Sequence, residues 1–152
     1  MGIKLEIDYT ELNKVAKKLG DIKLKAEDIR GASEGIRLLM QEDVDLRFQS
    51  SPSTTTGGQV YGGVTWQPLS ESYLRSRPDR VGGQILRDTG ELLQSMTVEG
   101  HPYRISTATP DEIVFGTALA KAQKLQRSRP FLFWHTILVE KVATYLVNYL
   151  GQ

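Results

Sequence analysis

Two histidines, His101 and His135, are the only imidazoles in the chain, and cysteine is absent. A hydrolytic site needs a nucleophile beside a base, or a metal held by several nitrogen, oxygen or sulfur ligands. His101 precedes Pro102 in a turn-forming stretch, and His135 follows Trp134 in an aromatic-rich segment. Neither belongs to an H-x-x-x-H pair, and the G-x-x-x-x-G-K and G-x-G-x-x-G patterns do not occur. Both histidines read as surface or packed residues. The carboxylates are dispersed: Glu42, Asp43 and Asp45 fall on a helical pattern and Asp111 with Glu112 in a turn, so they read as solvated faces. The glycine pairs at 57–58, 62–63 and 82–83 lack the lysine and hydroxyl of a phosphate loop and read as hinges. A chain without thiols also has no disulfide and no zinc–thiolate site. These residues predict no enzyme, no cofactor and no metal.

Two basic clusters remain, Arg75, Arg77, Arg80 and Arg87 in one and Lys121, Lys124, Arg127 and Arg129 in the other. On one shared surface they would hold phosphates, and an acidic protein would use them equally well. Only Tyr73 interleaves with the first cluster and no aromatic with the second, which argues against base stacking. With a formal net charge of +1 the molecule has no strong global pull on nucleic acid or anionic lipid, so any electrostatic function is local. A nucleic-acid-binding module built on these clusters is the alternative functional reading.

The elements that must position these groups follow from hydrophobic periodicity. A chain of 152 residues suits a single domain, 1–152. Ile3, Leu5 and Ile7 alternate with charged residues, which predicts a short strand. Asp8 and Glu11 resemble a cap before Leu12, Val15, Ala16 and Leu19, which predicts a helix of about three turns ending at Gly20. A long helix is predicted from about 27 to 48, with Ile29, Ile36, Met40, Val44 and Phe48 on one stripe. Gly31 and Gly35 inside it mark close packing or a break. Residues 50–63 are small, polar and glycine-rich and predict a flexible loop. Met96–Glu99, Tyr103–Ala108 and Glu112–Phe115 predict an antiparallel meander. Ser70 is placed to cap a short helix that Pro78 ends, and Asp88 or Thr89 to cap the next. Pro130 is placed to open a last helix whose stripe is Phe131, Trp134, Leu138, Tyr145 and Tyr149. The predicted class is α+β: a small, mostly antiparallel β-sheet packed by the long helix and a C-terminal helix. No apolar run reaches the roughly 18 residues that span a bilayer, and the charged start MGIKLEIDY predicts no signal peptide.

Three segments carry a resemblance. Trp66-Gln67-Pro68-Leu69-Ser70, then Ile85-Leu86-Arg87-Asp88-Thr89-Gly90-Glu91-Leu92-Leu93-Gln94-Ser95, then Arg129-Pro130-Phe131-Leu132 follow in the order W-x-P-L-S, I-L-x-x-T-G-x-L-x-x-S, R-P-F-L. In this order and spacing the chain, over about 64–150, resembles the tailed-phage virion morphogenesis family, the tail-completion or Mu-type G-like proteins. Relatives carry a tyrosine-alanine and a histidine-glutamine-x-glycine segment after the last strand, where this chain reads GTALAKAQK at 116–124. The resemblance implies a structural virion protein that completes or terminates a tail and helps join it to the head as a ring in the neck. It implies partners among copies of itself, sixfold to match a tail tube, among neck or connector proteins and among tail tube or sheath proteins. A passing contact with packaged DNA and no membrane partner are implied as well, with synthesis in the host cytoplasm. Trp66, Pro68, Leu69, Ser70, Leu86, Thr89, Gly90, Leu92, Pro130 and Phe131 are expected to build the fold. Ser51, Thr55, Tyr61, Lys121, Lys124, Arg127 and Arg129, in the loops at 50–63 and 121–129, are expected to meet neighbours.

Overall fold

The computed structural model describes residues 2–8, 26–108 and 112–150. The helix expected between Asp8 and Gly20 lies outside them. The long helix α1, Ala26–Gln49, crosses the molecule and buries Ala32, Ile36, Met40, Val44 and Phe48 along one stripe. Its partner is the last helix, α5 (Thr136–Leu150), which buries Leu138, Val142 and Leu146. Where the two cross, Tyr145 and Tyr149 stack at 6.2 Å over the glycines of α1. A methyl group at Gly35 would stand 2.0 Å from the Tyr145 ring. The two glycines therefore mark close packing and no break.

The main sheet has three antiparallel strands, β1 (Ile3–Asp8), β4 (Arg104–Ala108) and β5 (Glu112–Thr117), in the order β1-β5-β4. Leu5 and Ser106 both lie opposite Phe115. As the central strand β5 is buried from Ile113 to Thr117, and Ile113 and Phe115 join the core cluster. The architecture is α+β, as the periodicity predicted. The third strand differs from expectation: Met96 and Thr97 belong to a helix, α3 (Glu91–Thr97), and the N-terminal strand takes the vacant edge. Leu92, Ser95 and Met96 recur at helical spacing, and all three are buried. Their burial outweighs the extended reading of so short a run.

The remaining elements are small. Strands β2 (Gly58–Gln59) and β3 (Thr65–Trp66) form a hairpin, and α2 (Glu71–Ser76) is capped by Ser70, whose Oγ accepts from the Tyr73 N–H. A single 3-10 turn at Pro78–Arg80 follows. Helix α4 spans Ala122–Ser128, where a basic loop was expected. Ala122 faces the core and Leu125 and Gln126 are half-buried, the spacing of one inward helical face. Among the described residues no helix is long and apolar enough to cross a membrane.

Candidate functional site

The three segments quoted from the sequence meet in space. Trp66, on β3, is fully buried with its ring edge-on to Phe48 at 5.8 Å. Phe131 meets Phe48 the same way at 6.3 Å. Polar bonds lock the contact: the Trp66 Nε1–H donates to the Pro130 carbonyl at 2.7 Å. In return Arg129 donates from Nε to the Gln67 carbonyl and from Nη2 to the Pro68 carbonyl, both at 2.9 Å. Burial holds the Arg129 guanidinium below its ordinary pKa.

This clasp also explains why the last helix begins at Thr136 and not at Pro130. The Gln126 side-chain oxygen accepts from the Phe131 and Leu132 N–H groups, and Arg47 Nη1 donates to the Phe131 carbonyl at 2.7 Å. Backbone groups bonded to side chains have no need of a helix. Arg129, expected as a contact with a neighbour, is thus a fastener within the chain.

Residues 50–63 are likewise built in, against the expectation of a flexible loop. The Ser51 Oγ donates to the Ile85 carbonyl and the buried Thr54 hydroxyl to the Arg80 carbonyl. Backbone bonds join Thr54 to Gly83, Ile85 to Pro52 and Leu69 to Thr54. Composition counted apolar groups, whereas hydroxyls and amides fasten this segment to the turn after the 3-10 helix. Ser51 is consequently buried and unable to meet a neighbour, while Thr55 is exposed. Tyr61 is half-buried, with its ring edge on His135.

Between the clasp and α4 lies a groove of about 570 Å³. Pro68, Leu69, Ser70 and Tyr73 form one wall, Leu86 and Thr89 to Leu92 the floor, and Lys121, Lys124 and Leu125 on α4 the other. Leu86 adopts φ +62°, a left-handed conformation costly for a side chain with a Cβ. Gly90 caps α3 with φ +83°, where only glycine is unstrained, and the Thr89 hydroxyl accepts from the Glu91 N–H. Asp88, the other expected cap, instead pairs with Arg77.

The groove's charges are uneven. Arg80, Lys121, Lys124 and Arg129 line it against Asp88 and Glu91. Lys121 reaches Glu91 at 3.8 Å, whereas Lys124 has no ion pair among the described residues. Arg127 is exposed but lies outside the groove lining. Half of the other basic cluster is spoken for: Arg77 bonds both Asp79 and Asp88, and Arg80 is buried and donates to the Gln84 carbonyl, while Arg75 is exposed with no ion pair among the described residues and Arg87 reaches Gln84 Oε1 at 3.5 Å. Those carboxylates raise the Arg77 pKa, and Arg77 in turn holds Asp79 below the usual carboxylate range.

Sequence reasoning missed a buried polar knot. Asp43, expected on a solvated face, pairs with Arg47 at 2.8 Å, and its other oxygen lies 2.6 Å from His135 Nε2. Arg47 is fully buried, which lowers its pKa against the opposing pull of Asp43, and its Nε donates to the Tyr61 carbonyl. The available signal was positional. Asp43 and Arg47 each stand three residues after a core position, Met40 and Val44, and so fall within the arc of the apolar stripe. A carboxylate that orients an imidazole is the support of a general base, but here Tyr61 and Phe133 flank the ring and the side chain is 8% exposed. The knot therefore joins α1 to the segment before α5, and His135 is the packed residue of the two expected alternatives, surface or packed. Among the described residues no cluster of three or more histidine, aspartate or glutamate side chains could hold a metal ion. No family model, curated protein or solved structure matches the chain.

Proposed function

We propose that this chain is a structural virion protein of a tailed phage, which completes or terminates the tail and helps join it to the head as part of a ring in the neck. The observation that carries the reading is the convergence of the three quoted segments. Residues 66–70 and 129–132 interlock through Trp66 and Arg129, and all three segments contribute to the lining of a single groove. Segments whose residues serve the scaffold leave contact to the surfaces around them, as an assembly protein requires. The protein acts by docking, with copies of itself, with neck or connector proteins and with tail tube or sheath proteins. It is made in the host cytoplasm and ends in the virion. Electron microscopy of particles produced without this protein tests the reading. Separate full heads and finished tails are expected; normal infectious virions would refute it.

A further inference from the structure

We infer that copies of this chain dock head to tail, with the turn Val98–Tyr103 of one copy seated in the basic groove between α2, α3 and α4 of the next. The inference rests on the ring reading only for closure; the docking itself stands on two surfaces of one molecule.

The turn exposes a carboxylate between two apolar side chains. Val98 is 46% and Tyr103 45% exposed, beside a Glu99 side chain that is 85% exposed. Its only ion pair among the described residues, to Arg104, is loose at 3.9 Å. The projection is already shaped: the His101 N–H bonds the Val98 carbonyl, the Arg104 N–H the His101 carbonyl, and the Ala118 N–H holds the Tyr103 carbonyl at 2.7 Å. A preformed turn loses little conformational freedom on docking, so its buried area converts more fully into affinity.

The groove offers the complement. Leu69, Leu86 and Leu125 supply apolar floor and walls, and Lys124 a cation without an ion pair among the described residues. A carboxylate between two exposed apolar side chains matches a cation above three leucines, in both charge and polarity. A chain cannot fill its own groove. The groove includes the start of α3 and the turn follows its end, about 10 Å away at 1.5 Å per residue over seven residues. Two different patches at opposite ends of a helix make a heterologous contact, and such contacts repeat until they close or run on.

The absence of cysteine makes the test direct. Pro102→Cys at the tip of the turn and Ser128→Cys at the groove rim each introduce one thiol at an exposed site. A short bismaleimide applied to an equal mixture of the two variants is expected to give a mixed dimer, and no dimer with either alone. Both thiols on one chain should give a ladder that stops at a fixed size. Glu99→Lys and Lys124→Glu should each lower the mixed dimer about tenfold, equivalent to about 1.4 kcal/mol, and the two together should restore it. Dimer from Pro102→Cys alone, failure of the paired reversal to restore, or no mixed dimer in either purified protein or assembled particles overturns the inference. Failure here with heads and tails still separate in particles lacking the protein would leave the neck role standing and reject only this docking.

Discussion

Removing the Asp43 carboxylate would leave the Arg47 guanidinium buried with one partner fewer and His135 with none on Nε2. Breaking a buried pair by deleting one partner costs about 3–5 kcal/mol, because the remaining charge stays out of water. Asp43→Ala is therefore expected to lower stability by about that amount in urea unfolding, with an unchanged slope. A loss below about 1 kcal/mol would mean that water reaches Arg47. The exposed clasp of Arg77 with Asp79 and Asp88 behaves differently, since solvent screens it and its contribution is small. Arg77 lowers the Asp79 pKa, so this contact is complete above the ordinary carboxylate value and is lost as pH falls through the lowered one. An NMR titration should find the Asp79 midpoint below the ordinary aspartate value of about 3.9, and Arg77→Gln should return it there.

At the scale of elements, Gly35 reverses an ordinary rule. Glycine to alanine inside a helix usually gains about 1 kcal/mol. Here the new methyl group would meet the Tyr145 ring at 2.0 Å, so Gly35→Ala is expected to destabilise by about 1–3 kcal/mol. Adding Tyr145→Ala should recover part of that loss, and thermal melts of the two variants decide it. Periodicity read the long helix as 27–48 and the structure has Ala26–Gln49, because Ile36, Met40, Val44 and Phe48 repeat without interruption. It failed where side chains from distant residues take over backbone groups. Gln126 and Arg47 bond the amides and carbonyls of 131–132, and no local pattern announces a partner 84 residues away. The loop at 50–63 failed for the same reason, with Thr54 fastened to Arg80 and Gly83. The groove was legible as two separate lists, motif residues and lysines, but not as one place.

The whole molecule shares one apolar cluster among its described residues, to which α1, β5, the 66–96 stretch, Phe131 and α5 all contribute. Trp66 sits at the joint: it touches Phe48 of α1, bonds Pro130 and lies on the hairpin that residues 50–63 hold in place. A cluster that draws on every layer predicts a cooperative transition, since no part can leave without opening the rest. In a Trp134→Phe background the fluorescence reports Trp66 alone, because the chain has only two tryptophans. Its urea midpoint should coincide with that of the helical signal in far-ultraviolet circular dichroism, to which α1 and α5 contribute most among the described residues. In the same background Arg129→Ala keeps the Trp66 reporter and removes the donors to the Gln67 and Pro68 carbonyls, which should move both midpoints together to lower urea by about 1–3 kcal/mol. If the fluorescence instead changed at lower urea than the dichroism, the clasp would be a separate folding unit resting on the helices. The groove it walls would then open before the molecule unfolds, and a neighbour's turn would bind a surface that must first be closed.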